Sequence, residues 1–260
     1  MVWPTLCHSR NPRMPTKKTT VVTSRTIKAR LSDTAMLGKL EKLKADKGLP
    51  EHRAMAQAVI NMMNFDEAKI VARLSRVSPT SKAMFSLCCA ARQKSAWQEF
   101  AKRFSPEAQD AVSIAIEKIW QSLGSNVVPI NWSSLLDDIM DLLPEEQDEW
   151  APLHVYADHA LSSLAYTIRC LIDSSDQEAA WGARRAYEAA DQAAIRQLDA
   201  QLGIAESEAR ILMHPIVQRE LWRQERDLQV LERLSARDAL TELKVGALHE
   251  QTLTLDEMMK

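Results

Sequence analysis

The chain has 260 residues, enough for one large domain or for a small module joined to a larger one. Apolar residues make up 46% and charged residues 26%, the proportions of a folded globular chain, and only six glycines with 5% aromatics argue against a large all-β fold. The net charge of −2 hides an uneven distribution: between Arg10 and Lys47 eleven basic residues stand against three acidic ones, and the remainder is acidic. A basic end on an acidic body points to a polyanion site confined to that end, or to a basic tail without fixed structure.

Residues 1–20 carry Pro, Thr and Lys without periodicity and read as a flexible basic arm, with Met1 and Met14 both open as the start. In Thr26-Ile27-Lys28-Ala29-Arg30-Leu31 the residues alternate. Ile27, Ala29 and Leu31 share one face and Thr26, Lys28 and Arg30 the other, as in a half-exposed strand. Ser32 or Asp33 then caps a helix over about 33–47 with Met36, Leu37, Leu40 and Leu43 at helical spacing. Gly48 stops it, and Leu49-Pro50 turn the chain into a second helix over 50–63.

From Phe65 onward every element reads as helical. Ser78-Pro79 and Ser105-Pro106 pair an N-cap with a proline at the first helical position, opening helices over 79–103, broken near Gln93, and 106–123. Further helices are predicted over 132–143, 152–173, 176–202 and 206–213, and His214-Pro215 opens one reaching the mid-230s. The chain after Ser235 has helical propensity but is polar, and reads as a polar tail in the form of a loosely docked helix. The chain thus divides into an arm at 1–20, a module at 21–64, a helical domain at 65–235 and a tail at 236–260. The expected architecture is mainly α: a small N-terminal ribbon-helix-helix-like module followed by an all-helical multi-helix domain.

One strand and two helices in about 40 residues cannot bury a core alone. Two copies can, by pairing their strands into an antiparallel ribbon and interlocking their helices. Such a ribbon fits the DNA major groove, where Lys and Arg donate to guanine O6 and N7. The stretches TIKARL at 26–31, LEKLKADKGL at 40–49 and AMAQAVINMM at 54–63 resemble ribbon-helix-helix proteins of the Arc/CopG type. That resemblance implies a homodimer with Thr26, Lys28 and Arg30 as base-reading residues and Gly48 at the inter-helix turn. Two positions depart from the pattern: Pro50 and Glu51 stand where a phosphate-holding Ser or Thr is common, and Gly38 interrupts the first helix. The alternative is an ordinary helical hairpin packed on the larger domain.

The body resembles a second family, the YjaG-like bacterial proteins, an all-helical domain of unknown function. The similarity lies in AMFSLCCAARQKSAWQEFAKRF at 83–104, IEKIWQSL at 116–123, YADHALSSLAYTIRCL at 156–171 and HPIVQRELWRQERDLQVLE at 214–232. It implies a helical fold and transfers no activity or cofactor.

Individual residues offer few sharp chemical signals. His154 and Asp158 lie four apart on one predicted helix beside His159, a spacing that can share a metal, but no second helix offers partner ligands. His214 reads as a cap. Asp137, Asp138 and Asp141 form an acidic cluster, with Glu145 and Glu146 close by, that is either a solvated face or a docking surface for a basic partner. Trp97, Trp120, Trp132, Trp150, Trp181 and Trp222 read as core and helix-junction residues, and Arg184, Arg185, Arg219, Arg223 and Arg226 as exposed ion-pair faces. Cys7, Cys88, Cys89 and Cys170 form no C-x-x-C pattern, so reduced thiols are expected. No apolar run approaches the ~20 residues of a membrane span, and no signal-peptide core opens the chain, so the cytoplasm is the expected location.

The expected function is therefore a non-enzymatic DNA-binding dimer, an autoregulator or antitoxin-like repressor whose helical domain binds a partner, without metal or cofactor. One alternative is a helical interaction or toxin-immunity protein that does not touch DNA. Another is an uncharacterised enzyme using His154, Asp158 or His214.

Overall fold

A computed structural model describes residues 62–124, 129–144 and 152–260. The ribbon expected at 26–31 and the helices expected up to residue 61 lie outside the described residues. Met62 and Met63, expected to close the second of those helices, are not helical. Among the described residues there are eleven α-helices, one 3-10 turn and no strand.

Side-chain caps set most helix starts. Helix α1 (Glu67–Leu74) begins at Asp66, whose carboxylate accepts the Lys69 N–H at 3.0 Å. Helix α2 (Pro79–Arg92) begins at Ser78, which accepts the Ser81 N–H at 3.1 Å, and Pro79 gives up an N–H that would have no helical partner. The break expected near Gln93 is present: that residue leaves helical geometry (φ −97°, ψ −2°) and α3 (Lys94–Phe104) follows at once. Ser105-Pro106 behaves differently from expectation. Ser105 makes no capping bond, Pro106–Ala108 form a single 3-10 turn, and α4 (Ala111–Gly124) starts beyond it.

Helix α5 (Trp132–Met140) is capped by Asn131 and stops short of the expected residue 143. Helices α6 (Pro152–Asp173) and α7 (Asp176–Leu198) are the longest, and α7 ends at Asp199 in the left-handed region (φ 45°), before the expected 202. Then come α8 (Ala205–Leu212) and α9 (Pro215–Arg233). The chain after Ser235 is helical as its propensity predicts, and it is docked through buried residues rather than loosely. It forms α10 (Ala236–His249), capped by Ser235, and α11 (Leu255–Met259), opened by a capping box between Thr254 and Glu257. Ala239, Leu243 and Ala247, four apart, give α10 a buried stripe, and Leu253 and Met258 are buried beyond it.

Helices α2, α6 and α7 pack on one another at the centre, with α9 and α10 against α2. Most of α2, from Ser81 to Arg92, is buried on all sides, as an apolar helix without a polar face must be. Close approach depends on small side chains: α7 buries Ala179, Ala183, Ala186, Ala190 and Ala194. Hydroxyls tie the three helices at one level. Ser86 Oγ and Thr167 Oγ1 are 2.7 Å apart, Thr167 Oγ1 donates to Ser163 O at 3.0 Å, and Ser163 Oγ donates to Gly182 O at 2.9 Å. These bonds satisfy polar groups that burial would otherwise strip of water. Trp97 and Trp120 are core residues as expected, Trp150 lies outside the described residues, and Trp222 departs from expectation by being 52% exposed.

Candidate functional site

The densest buried chemistry is ionic. Arg92, at the end of α2, is fully buried; its Nη1 donates to Asp227 Oδ2 at 2.6 Å and its Nη2 to Glu220 Oε1 at 3.1 Å. Gln224 Nε2 donates to Glu220 Oε1 at 3.0 Å, and Thr252 Oγ1 to Glu220 Oε2 at 3.1 Å. Arg226 holds the other Asp227 oxygen at 2.9 Å and reaches Glu250 at 2.5 Å. Burial opposes the Arg92 charge, but Glu220 and Asp227 outweigh it and hold the guanidinium well above its ordinary pKa. Three cations, Arg92, Arg223 and Arg226, thus meet three anions, Glu220, Asp227 and Glu250. The C-terminal segment closes this cluster: the Thr252 N–H donates to Arg92 O at 2.9 Å, and Arg219 holds Thr252 O at 2.9 Å and Glu257 at 2.8 Å. This charge-matched cluster fixes the packing of α2 against α9 and the C-terminal segment.

The arginines expected as exposed helical faces are corrected by this arrangement. Arg219, Arg223 and Arg226 are partly covered and reach across to the chain at 250–257, so their partners are tertiary. Arg184 and Arg185 do pair locally with Glu188, at 3.0 and 3.2 Å, and Arg184 also reaches Glu67 at 3.2 Å.

The histidines have separate surroundings. His154 is buried against the rings of Phe100 and Phe104, with centroids 5.0 and 4.7 Å away. His159 is buried too, and burial followed by the Arg185 charge pushes its pKa down to about 3. Glu188 stands 3.9 Å from His159 Nδ1, but Arg184 and Arg185 already engage its carboxylate. Asp158 helps raise the Arg185 pKa, against the burial that lowers it. His214 caps α9, its Nδ1 accepting the Ile216 N–H at 3.4 Å, the role expected of it. Among the described residues, no three His, Cys, Asp or Glu side chains come together as a metal site.

An open groove lies between α4 and α5. These helices are not a close-packed pair; α5 rests on α6 and α4 on α2. The groove left between them has a volume of about 400 Å³. One wall is a helical stripe of α4 at i, i+3, i+4 and i+7, Ala111, Ile114, Ala115 and Lys118; the other is Leu135, Asp138 and Ile139 of α5 with Asp141 and Leu142 of the turn that follows it. Asp137, Asp138 and Asp141 are exposed and have no ionic partner among the described residues. Of the acidic cluster expected from sequence, Asp138 and Asp141 are thus brought to the groove, with Asp137 next to Asp138 along the chain; Glu145 and Glu146 lie outside the described residues. Thr26, Lys28 and Arg30 lie outside them as well.

Sequence reading missed the Arg92 cluster and the groove. The first left a trace: Glu220, Gln224 and Asp227 fall at i, i+4 and i+7, on the same side of α9 as the core residues Leu221 and Leu228. Polar residues on an apolar stripe announce a buried partner. The second depends on two helices standing apart, which no local pattern records.

A family model described as "Protein of unknown function (DUF416)" matches residues 69–252. A crystal structure of a DUF416 family protein from Shewanella baltica OS155 is similar in fold, with a TM-score of 0.61, 18% sequence identity, and coverage of 68% of this chain and 92% of that one. No curated protein matches the chain. No helix of the described residues is long and apolar enough to cross a membrane. With its family model spanning most of the sequence and its helices superposing on a solved member, the chain belongs to the DUF416 family, whose function is unknown.

Proposed function

We propose that the chain is a non-enzymatic binding protein whose helical body holds a protein partner on the acidic face of α5. One observation carries this reading: Asp137, Asp138 and Asp141 stand exposed without ionic partners among the described residues, whereas the buried charges around Arg92 are matched. Unpaired charge beside an open groove is the kind of surface that steers and selects a partner of opposite sign. Of the three candidate groups for chemistry, His154, Asp158 and His214, His154 packs on the Phe100 and Phe104 rings and His214 caps α9. The test is parallel recovery from the native cell with the wild-type chain and with Asp137→Asn/Asp138→Asn/Asp141→Asn. A partner held by the first and lost by the second supports the reading. A partner held equally by both, or none by either, removes it.

A second contact rests on the sequence of the N-terminal segment. The eleven basic residues between Arg10 and Lys47, and the alternation that puts Thr26, Lys28 and Arg30 on one face, favour a dimer that grips DNA, as an autoregulator or antitoxin-like repressor does. Gel-shift of the full chain on its own upstream DNA tests this. Binding should weaken steeply with salt, and Lys28→Ala/Arg30→Ala should abolish sequence preference first. A monomer with negligible, salt-insensitive affinity overturns it.

A further inference from the structure

The α4–α5 groove restricts what the partner can present. Its floor is apolar, from Ala115, Leu135, Ile139 and Leu142, and Ile114 stands over it 53% exposed although the other isoleucines of α4 are buried. Charge is one-sided. Asp138 and Asp141 line the α5 wall, Asp137 lies next to them, and the described chain from Pro129 to Pro144 contains no Lys or Arg; Lys118 is the single cation of the lining. The rim residues Ile114, Lys118, Asp138 and Asp141 are all exposed, so the groove is open along its length. A small ligand is held by enclosure, with most of its surface buried. An open trough between two helices, with an i, i+3, i+4, i+7 stripe of α4 on one side and Leu135, Asp138 and Ile139 of α5 on the other, is instead the shape that receives the side-chain ridge of a third helix.

Resting on the partner-binding reading above, the geometry points to a lysine- or arginine-rich amphipathic helix of a partner protein as the occupant of this groove. Its apolar stripe packs on Ile114, Leu135 and Leu142, and its cationic flank lies along Asp138 and Asp141. Apolar contact with Ile114 supplies the anchor, and the carboxylates fix orientation and reject helices with an acidic flank.

The experiment uses the full chain and a fluorescent synthetic helical peptide with leucines at i, i+3, i+4 and i+7 and lysines on the flank. The control is a scrambled peptide of the same composition, which keeps the charge and disperses the stripe. The striped peptide should bind, more weakly at higher salt, and the scrambled one should bind at least about tenfold more weakly. Ile114→Asp and, separately, Asp138→Asn/Asp141→Asn should each weaken binding about tenfold or more. Both variants change exposed residues, and Ile114→Ala serves as a second, milder variant expected to lose affinity in the same direction. Hydrogen exchange should show peptide-dependent protection at 111–118 and 135–142. Equal binding of the two peptides, indifference to both sets of variants, or protection confined to other helices overturns the proposal. A chain that still recovers a cellular partner through Asp137, Asp138 and Asp141 while ignoring the striped peptide keeps the partner-binding reading and loses only the helix; failure of both experiments removes both.

Discussion

Gly182 of α7 faces Ser86 of α2 so closely that a Cβ built on the glycine overlaps Ser86 Oγ. Gly182 also offers its carbonyl to Ser163 Oγ, so one residue sets the distance between three central helices. Gly in a helix interior normally loses up to about 1 kcal/mol against Ala, and the crossing recovers this through close packing. Gly182→Ala should therefore destabilise by about 1–3 kcal/mol in urea unfolding, although propensity alone favours it. Adding Ser86→Ala removes the obstructing oxygen, and Thr167 Oγ1 retains its bond to Ser163 O. The double variant should be more stable than Gly182→Ala alone, a coupling that independent sites would not show.

Arg92→Met should cost about 3–5 kcal/mol, because it strips Glu220 of its ion-pair partner and leaves Asp227 with Arg226 alone, in a site where Arg92, Glu220 and Asp227 are at essentially zero exposure. Urea unfolding of the two proteins measures the loss, and a cost below about 1 kcal/mol would mean that the buried carboxylates are compensated without Arg92.

Much of the helical pattern was legible because it is written locally. Ser78-Pro79 and His214-Pro215 announce helix starts through a capping group next to a proline, and each helix begins where those signals stand. Helix α1 escaped because its eight residues carry only two buried apolar positions, Ile70 and Leu74. The α7 terminus was overestimated because Asp199 enters the left-handed region, which an aspartate tolerates but does not advertise. Chain topology makes the remaining features unreadable: Arg92 meets Glu220 and Asp227 across 128 and 135 residues. The acidic cluster was visible as composition, but its groove needed α4 and α5 to be placed apart by α2 and α6.

Cys88, Cys89 and Cys170 are free and buried. Burial pushes the Cys170 thiol up to about 12, and the other two also lie above their ordinary value for the same first reason. A thiolate is the reacting species, so folded protein should label very slowly at these three positions with an aromatic disulfide reagent near pH 8. In a Cys7→Ser background, labelling should follow global unfolding and accelerate in parallel with urea-induced loss of helix. Fast labelling of the folded chain at any of the three would show that the centre around α2 opens locally.

His159 supplies a built-in acid sensitivity. Its pKa is about 3 in the folded chain against an ordinary 6.5, so the unfolded chain binds this proton more readily. Stability associated with the neutral ring is therefore fully present above about pH 6.5 and declines as pH falls, by about 1.4 kcal/mol per unit, until the folded pKa is reached. By pH 5 the loss amounts to about 2 kcal/mol. His159→Gln, which cannot gain a proton, should be less stable than wild type at pH 7.5 through imperfect packing, yet lose less stability between pH 7.5 and pH 5. Parallel stability curves for the two proteins over that range would show that the imidazole is solvated or charge-compensated in the fold. The Glu188 carboxylate would be the group responsible, having exchanged Arg184 and Arg185 for the ring.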